Sequence, residues 1–480
     1  MNFFIRVMGF FFCCLLSAQA LAQAEPTYAE FIQDKQHHQG YFSFYLDDKT
    51  GNVFLEIESF EQEFLFQSGL PHGVGSNDIG LDRGQLGDTR LVRFERVGDK
   101  VFLRQLNSYY RANTDSVLEK QAIDEAFASS IIWGFKVSNS SPDNSKTLID
   151  YTPFLLSDIH NLSAQLQRTK QGDYKIDASR SGVYQKRSKA FPNNTELEAT
   201  VTYKGSKAGA HLRAVVPDAS AVTVNLHHSL IKLPDDGYQT RKFHPYSGFW
   251  QNAYADYASA IDEPLITRNI PRHRLMKKNP QAKVSEAVEP IIYYLDAGVP
   301  EPVKSALLDG ARWWDQAFAA IGYKNAFQVK MLPSDADPMD VRYNVIQWVH
   351  RATRGWSYGA SVIDPRTGEI LKGHVTLGSL RVRQDYLIAL GLTSPFKTID
   401  TDTSAMKAMA LARIRQLSAH EVGHTLGIAH NFAASVNDRA SVMDYPHPLI
   451  TIKNDEISLE NAYATDIGDW DKYVVAYGYG

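Results

Sequence analysis

The chain has 480 residues, too many for one compact core, so two or three domains are expected. Hydrophobic residues make up 44% and charged residues 22%, which excludes a fibrous or disordered chain. A formal net charge of −4, about −5 without Arg6, gives no reason to expect nucleic acid or an anionic membrane as partner.

The N-terminus differs from the rest. Arg6 precedes the apolar run Val7–Leu16, and small residues ending in Ala20-Leu21-Ala22 follow. This pattern predicts a secretory signal peptide over residues 1–22, and so an exported protein, periplasmic or secreted. The apolar run is too short to span a bilayer comfortably, and no second long one follows, so stable membrane insertion after cleavage is not expected. Cys13 and Cys14 are the only cysteines, and both lie in the leader. The mature fold therefore has no disulfide, and a metal must be held by histidines and carboxylates.

From residue 23 to 270 the pattern is mostly strands and turns, with room for two subdomains. Tyr41–Leu46 and Val53–Ile57 flank a turn and read as a hairpin, as do Leu91–Glu95 and Lys100–Leu103 around Gly98-Asp99. Further alternating segments fall at Ile131–Val137, Thr147–Tyr151 and Glu196–Tyr203, and the Gly-rich stretch Gly69–Gly87 reads as a long loop. Residues 271–290, rich in Pro, Asn and Lys, read as a linker.

The pattern then changes. Ile291–Leu295 is an expected strand, and Pro302 opens a helix carrying Val303, Ala306, Leu307, Gly310, Trp314, Ala317 and Ile321 on one face. Strands are expected at Phe327–Leu332, Asn344–His350, Trp356–Ile363 and Glu369–Gly378. A long helix from Ser404 to Leu426 follows, N-capped by Asp402 or Thr403. The acidic turn Asp335–Asp340 reads as exposed surface rather than a calcium site.

The end of that long helix carries the strongest signal. It reads His420-Glu421-Val422-Gly423-His424-Thr425-Leu426-Gly427-Ile428-Ala429-His430. Residues four apart share a helix face, so His420 and His424 direct two imidazoles at one point. Gly427 can take a left-handed conformation, end the helix and bring His430 to the third position. Three imidazoles with an open fourth position describe a catalytic Zn2+ site, because a structural one is normally closed. Glu421 lies one step round, within reach of a metal-bound water without ligating the metal. Met406, Met409, Ala410, Ile414 and Leu417 share the histidine face and should bury it.

The sequence Ser441-Val442-Met443-Asp444-Tyr445-Pro446 follows. Together with the histidine motif it resembles the metzincin clan of zinc metalloproteases, with Met443 at the Met-turn beneath the metal. The resemblance implies an α+β protein: a β-rich N-terminal region, then a metzincin-like domain at 291–480 with a twisted mixed sheet, a backing helix and an active-site helix. It also implies a zinc endopeptidase acting on protein or peptide substrates, with Glu421 as the base and Tyr445 as an oxyanion stabiliser or movable ligand. An edge strand should bind extended substrate, and Gly373, His374, Val375, Thr376 and Leu377 are the candidates, with His374 at the surface or rim.

Beyond the motif, Leu81–Leu86, Leu91–Arg96, Arg354–Gly359 and Asp364–Glu369 resemble bacterial exported, predicted zinc-dependent metalloproteases with an uncharacterised N-terminal region. Such proteins continue well past the Met-turn, so the wall after Tyr445 is expected to be shortened here. The alternative is an inactive zinc-binding homologue acting as an envelope binding or assembly protein. The intact Glu421 argues against it.

Overall fold

The computed structural model describes residues 26–352, 355–393 and 402–480. The expected leader, with Cys13 and Cys14, lies outside them, as does Arg354. Among the described residues no helix is long and apolar enough to cross a membrane.

The N-terminal region is built on a 13-stranded antiparallel sheet. Both expected hairpins form, as Phe44–Asp47 with Asn52–Ile57 and Gln85–Val97 with Lys100–Gln105. Alternation sends Phe44, Phe64, Phe66, Phe94 and Phe135 of the strands into one core, which Phe154 joins from a short helix at Thr152–Leu155. The Gly-rich stretch is a shorter loop than expected. Glu63–His72 and Gln85–Val97 are paired strands, leaving residues 73–84 as the connection.

The C-terminal region has a five-stranded mixed sheet. Its strands are β1 (Ile291–Leu295), β2 (Phe327–Met331), β3 (Asn344–Val349), β4 (Tyr358–Ile363) and β5 (Ile370–Gly378), in the order β2-β1-β3-β5-β4. All neighbours are parallel except the last pair, so β4 is an antiparallel edge strand. The helix after Pro302 is two pieces, α1 (Val303–Arg312) and α2 (Trp314–Ala320), meeting at Trp313 and stopped by Gly322 at φ +82°. A helix without a strong sequence signal, α3 (Arg381–Thr393), precedes the long α4 (Ser404–Thr425). The last helix, α5, spans Asp469–Tyr479.

The apolar stripe of α4 is buried as expected, with Met406 and Met409 in a side cluster and Ile414 and Leu417 in the main core beside Trp314 and Val375. Gly310 lets α1 approach closely: a Cβ there would lie 1.9 Å from the Arg415 carbonyl oxygen. Trp314 Nε1 donates to the Ala419 carbonyl at 2.7 Å, and Ser418 Oγ to Leu307 at 2.7 Å. These bonds fix α4 one turn ahead of its functional end.

Residues 271–290 are not a free linker. His273 is buried, Arg272 forms a backbone bridge with Glu369, and Ser285–Glu286 pairs with Tyr323–Lys324. The two regions also share a core cluster, in which Leu65, Leu91 and Ile231 meet Val341 and Val362. The 73–84 loop adds a buried ion pair, Asp82 with Arg351 at 2.5 Å. Arg83 donates to the Trp348 carbonyl at 3.0 Å. The acidic turn is less exposed than expected: Asp340 is buried and pairs with Arg342 within the turn, while Asp337 pairs with Lys189 of the N-terminal sheet.

Candidate metal centre

Helix α4 carries His420 and His424 on one face and ends at Leu426. Gly427 follows at φ +93°, and a Cβ there would lie 2.0 Å from the Pro271 carbonyl oxygen. Both constraints require glycine, and the reversal they permit delivers His430. One ligand nitrogen from each of His420, His424 and His430 lies within 4.8 Å of the others; among the described residues no other such cluster occurs.

The tautomers follow from the partners. His420 Nδ1 donates to the Val442 carbonyl at 2.8 Å, and His424 Nδ1 donates to the Ile428 carbonyl at 2.8 Å. Each Nε2 lone pair is thereby left for another partner. His420 Nε2 is buried with no hydrogen-bond partner, and His424 Nε2 and His430 Nε2 are 3.1 Å apart. Burial lowers all three rings, His420 to about 3 and His424 to about 4, so the imidazoles are neutral at neutral pH. An orphaned buried nitrogen beside two other neutral imidazoles fits a divalent cation of the zinc type.

Glu421 is almost fully buried, and burial pushes its carboxyl up to about 8 against the opposing effects of Arg413 and the Gly359 N–H. Met443 is fully buried under the site, close enough to α4 that a Cβ on Gly423 would lie 2.3 Å from its sulfur. Tyr445 is half-exposed, its ring 5.0 Å from that of His420 and 4.6 Å from that of His430.

The expected edge strand is misplaced. Gly373–Leu377 lies in β5, where His374 opposes Val345 of β3 on one side and Ala360 of β4 on the other. Both backbone edges are occupied, so added substrate has nothing to pair with there. The available edge is β4, whose Gly359 packs against Glu421 and His424. His374 is buried rather than at the rim, and burial beside Lys372 lowers it to about 3.

Four supporting residues escaped sequence reasoning. Asp471, at the start of α5, accepts from Ser441 Oγ at 2.7 Å and Val442 N at 2.9 Å, holding the turn whose carbonyl orients His420. His273 Nε2 lies 3.1 Å from the Thr425 carbonyl at the end of α4. Trp250 pairs by its backbone with Gly427. Arg413 is buried on α4 and stands seven residues before His420, a spacing that put it on the ligand face and offered a signal. The others lie too far along the chain for any local pattern to connect them.

Residues 402–480 match the family described as Met-zincin, and residues 84–278 match a domain of unknown function, DUF5117. No curated protein and no solved structure matches the chain. Residues 402–480 are thus similar to the Met-zincin family and carry the His420, His424 and His430 triad, behind a stretch that matches DUF5117.

Proposed function

We propose that the protein is an exported zinc-dependent endopeptidase. The observation that carries the reading is the convergence of three neutral imidazoles beside a buried carboxylate, next to a strand with one open edge. His420, His424 and His430 would hold the ion. When bound, zinc supplies Lewis acidity, which acidifies water and polarises a carbonyl.

The chain's own groups supply the rest. An extended peptide pairs with β4, which aligns its backbone past Gly359 toward His424. Glu421, held as the carboxylate beside a bound cation, takes a proton from the attacking water and returns it to the leaving amine nitrogen. The Tyr445 hydroxyl, on a ring stacked against His420, donates to the developing oxyanion. Export rests on the pattern of residues 1–22.

The test is Glu421→Gln in the purified protein, with zinc content and cleavage of a protein substrate measured together. Zinc should remain at one equivalent while cleavage falls about 10²–10⁴-fold. Undiminished cleavage by the zinc-loaded variant would remove Glu421 from the mechanism.

A further inference from the structure

One wall beside the metal centre comes from the DUF5117 region. Residues 248–250 pair with the turn that carries the third histidine: Trp250 N donates to Gly427 O at 2.9 Å, and Ala429 N to Gly248 O at 2.8 Å. Phe249 bridges Ile428 in antiparallel fashion and is 3% exposed, buried in the core. Alternation then turns Trp250 the other way. Its indole is 49% exposed, with ring centroids 6.1 Å from His424 and 6.4 Å from His430.

The backbone bonds fix the turn without help from the indole, so packing does not explain an exposed tryptophan here. It borders a groove of about 400 Å³ whose other wall is Gly359, Ala360 and Ser361 of β4. His424 lines the same groove, which makes it continuous with the metal centre. Among the described residues, no Lys, Arg, Asp or Glu lines it. An uncharged groove with an aromatic wall disfavours a charged side chain and rewards an apolar one.

We propose that Trp250 is a specificity residue: the DUF5117 region completes the substrate cleft, and the indole receives an apolar side chain of an extended peptide paired with β4. This rests on the endopeptidase reading. An antiparallel peptide, the slightly stronger pairing, would enter at Ile363 and reach His424 at Gly359. The residue against Trp250 therefore precedes the scissile bond.

The experiment uses the full-length zinc-loaded protein and quenched fluorogenic peptides that differ only before the cleaved bond. Trp250→Ala should raise KM about tenfold for peptides with Leu or Phe there, and about twofold or less for those with Gly. Zinc content should not change, and Trp250→Phe should restore most of the difference. Equilibrium binding of the same peptides to Glu421→Gln, with and without Trp250→Ala, reads the groove without turnover and should show the same tenfold loss. A uniform loss across all peptides, accompanied by zinc loss, would make Trp250 a structural residue and overturn the proposal. Cleavage and binding indifferent to Trp250 would overturn it while leaving the endopeptidase intact. Trp250-dependent binding by a wild-type protein that cleaves nothing would support the groove and sink the endopeptidase.

Discussion

The β-rich region and the metal region differ in how far away their partners lie. In the N-terminal sheet many strands pair with their chain neighbours, as in the 44–57 and 85–105 hairpins. At the metal centre the donor set fits within eleven residues, yet what holds it comes from Phe249, His273, Trp314 and Asp471. The ligands are local, whereas their rigidity is assembled from the whole chain. That difference predicts that distant substitutions will be felt at the metal.

The largest stability effect should come from the seam between the regions. Asp82→Ala leaves Arg351 charged and buried, and should cost about 3–5 kcal/mol in chemical denaturation. If the two regions were independent, the variant would unfold in two separate transitions with an unaltered metal-region melt. Gly427→Ala comes next. It forces a strained φ against the Pro271 carbonyl, costing on the order of 2 kcal/mol and lowering zinc occupancy. Asp471→Ala frees the Val442 amide and loosens the carbonyl partner of His420. Zinc affinity, measured by chelator competition, should drop about 10–100-fold with the three ligands intact.

The smallest effect is a pH dependence. Glu421 has a folded-state pKa raised from its ordinary value to about 8, so its favourable contribution is complete below the unfolded pKa and is lost as pH rises through 8. In chelator-treated protein, Glu421→Gln should therefore melt higher than wild type at alkaline pH. The advantage should vanish toward pH 4.5.

Much of the centre was legible because its spacing is a helix property. His420 and His424 are one turn apart, and Gly427 marks the reversal. The strands of the C-terminal sheet were legible for the same local reason. Their order was not: β4 and β5 are successive alternating segments, and only pairing of β5 with β3 decides which lies at the edge. Residues 271–290 misled by composition, since Lys, Pro and Asn suit a linker, while two short pairings and a buried His273 anchor the segment. Trp250 carried no local signal, because its meaning depends on a bridge to residues nearly two hundred positions later.

The central claim is that the three Nε2 atoms share one ion. X-ray absorption at the zinc edge of full-length, zinc-loaded protein tests it most directly. Three imidazole nitrogens at about 2.0–2.1 Å plus one light-atom ligand are expected, with the imidazole count falling by one in His430→Ala. A wild-type spectrum unchanged by that substitution, or a shell without three imidazoles, would contradict the account.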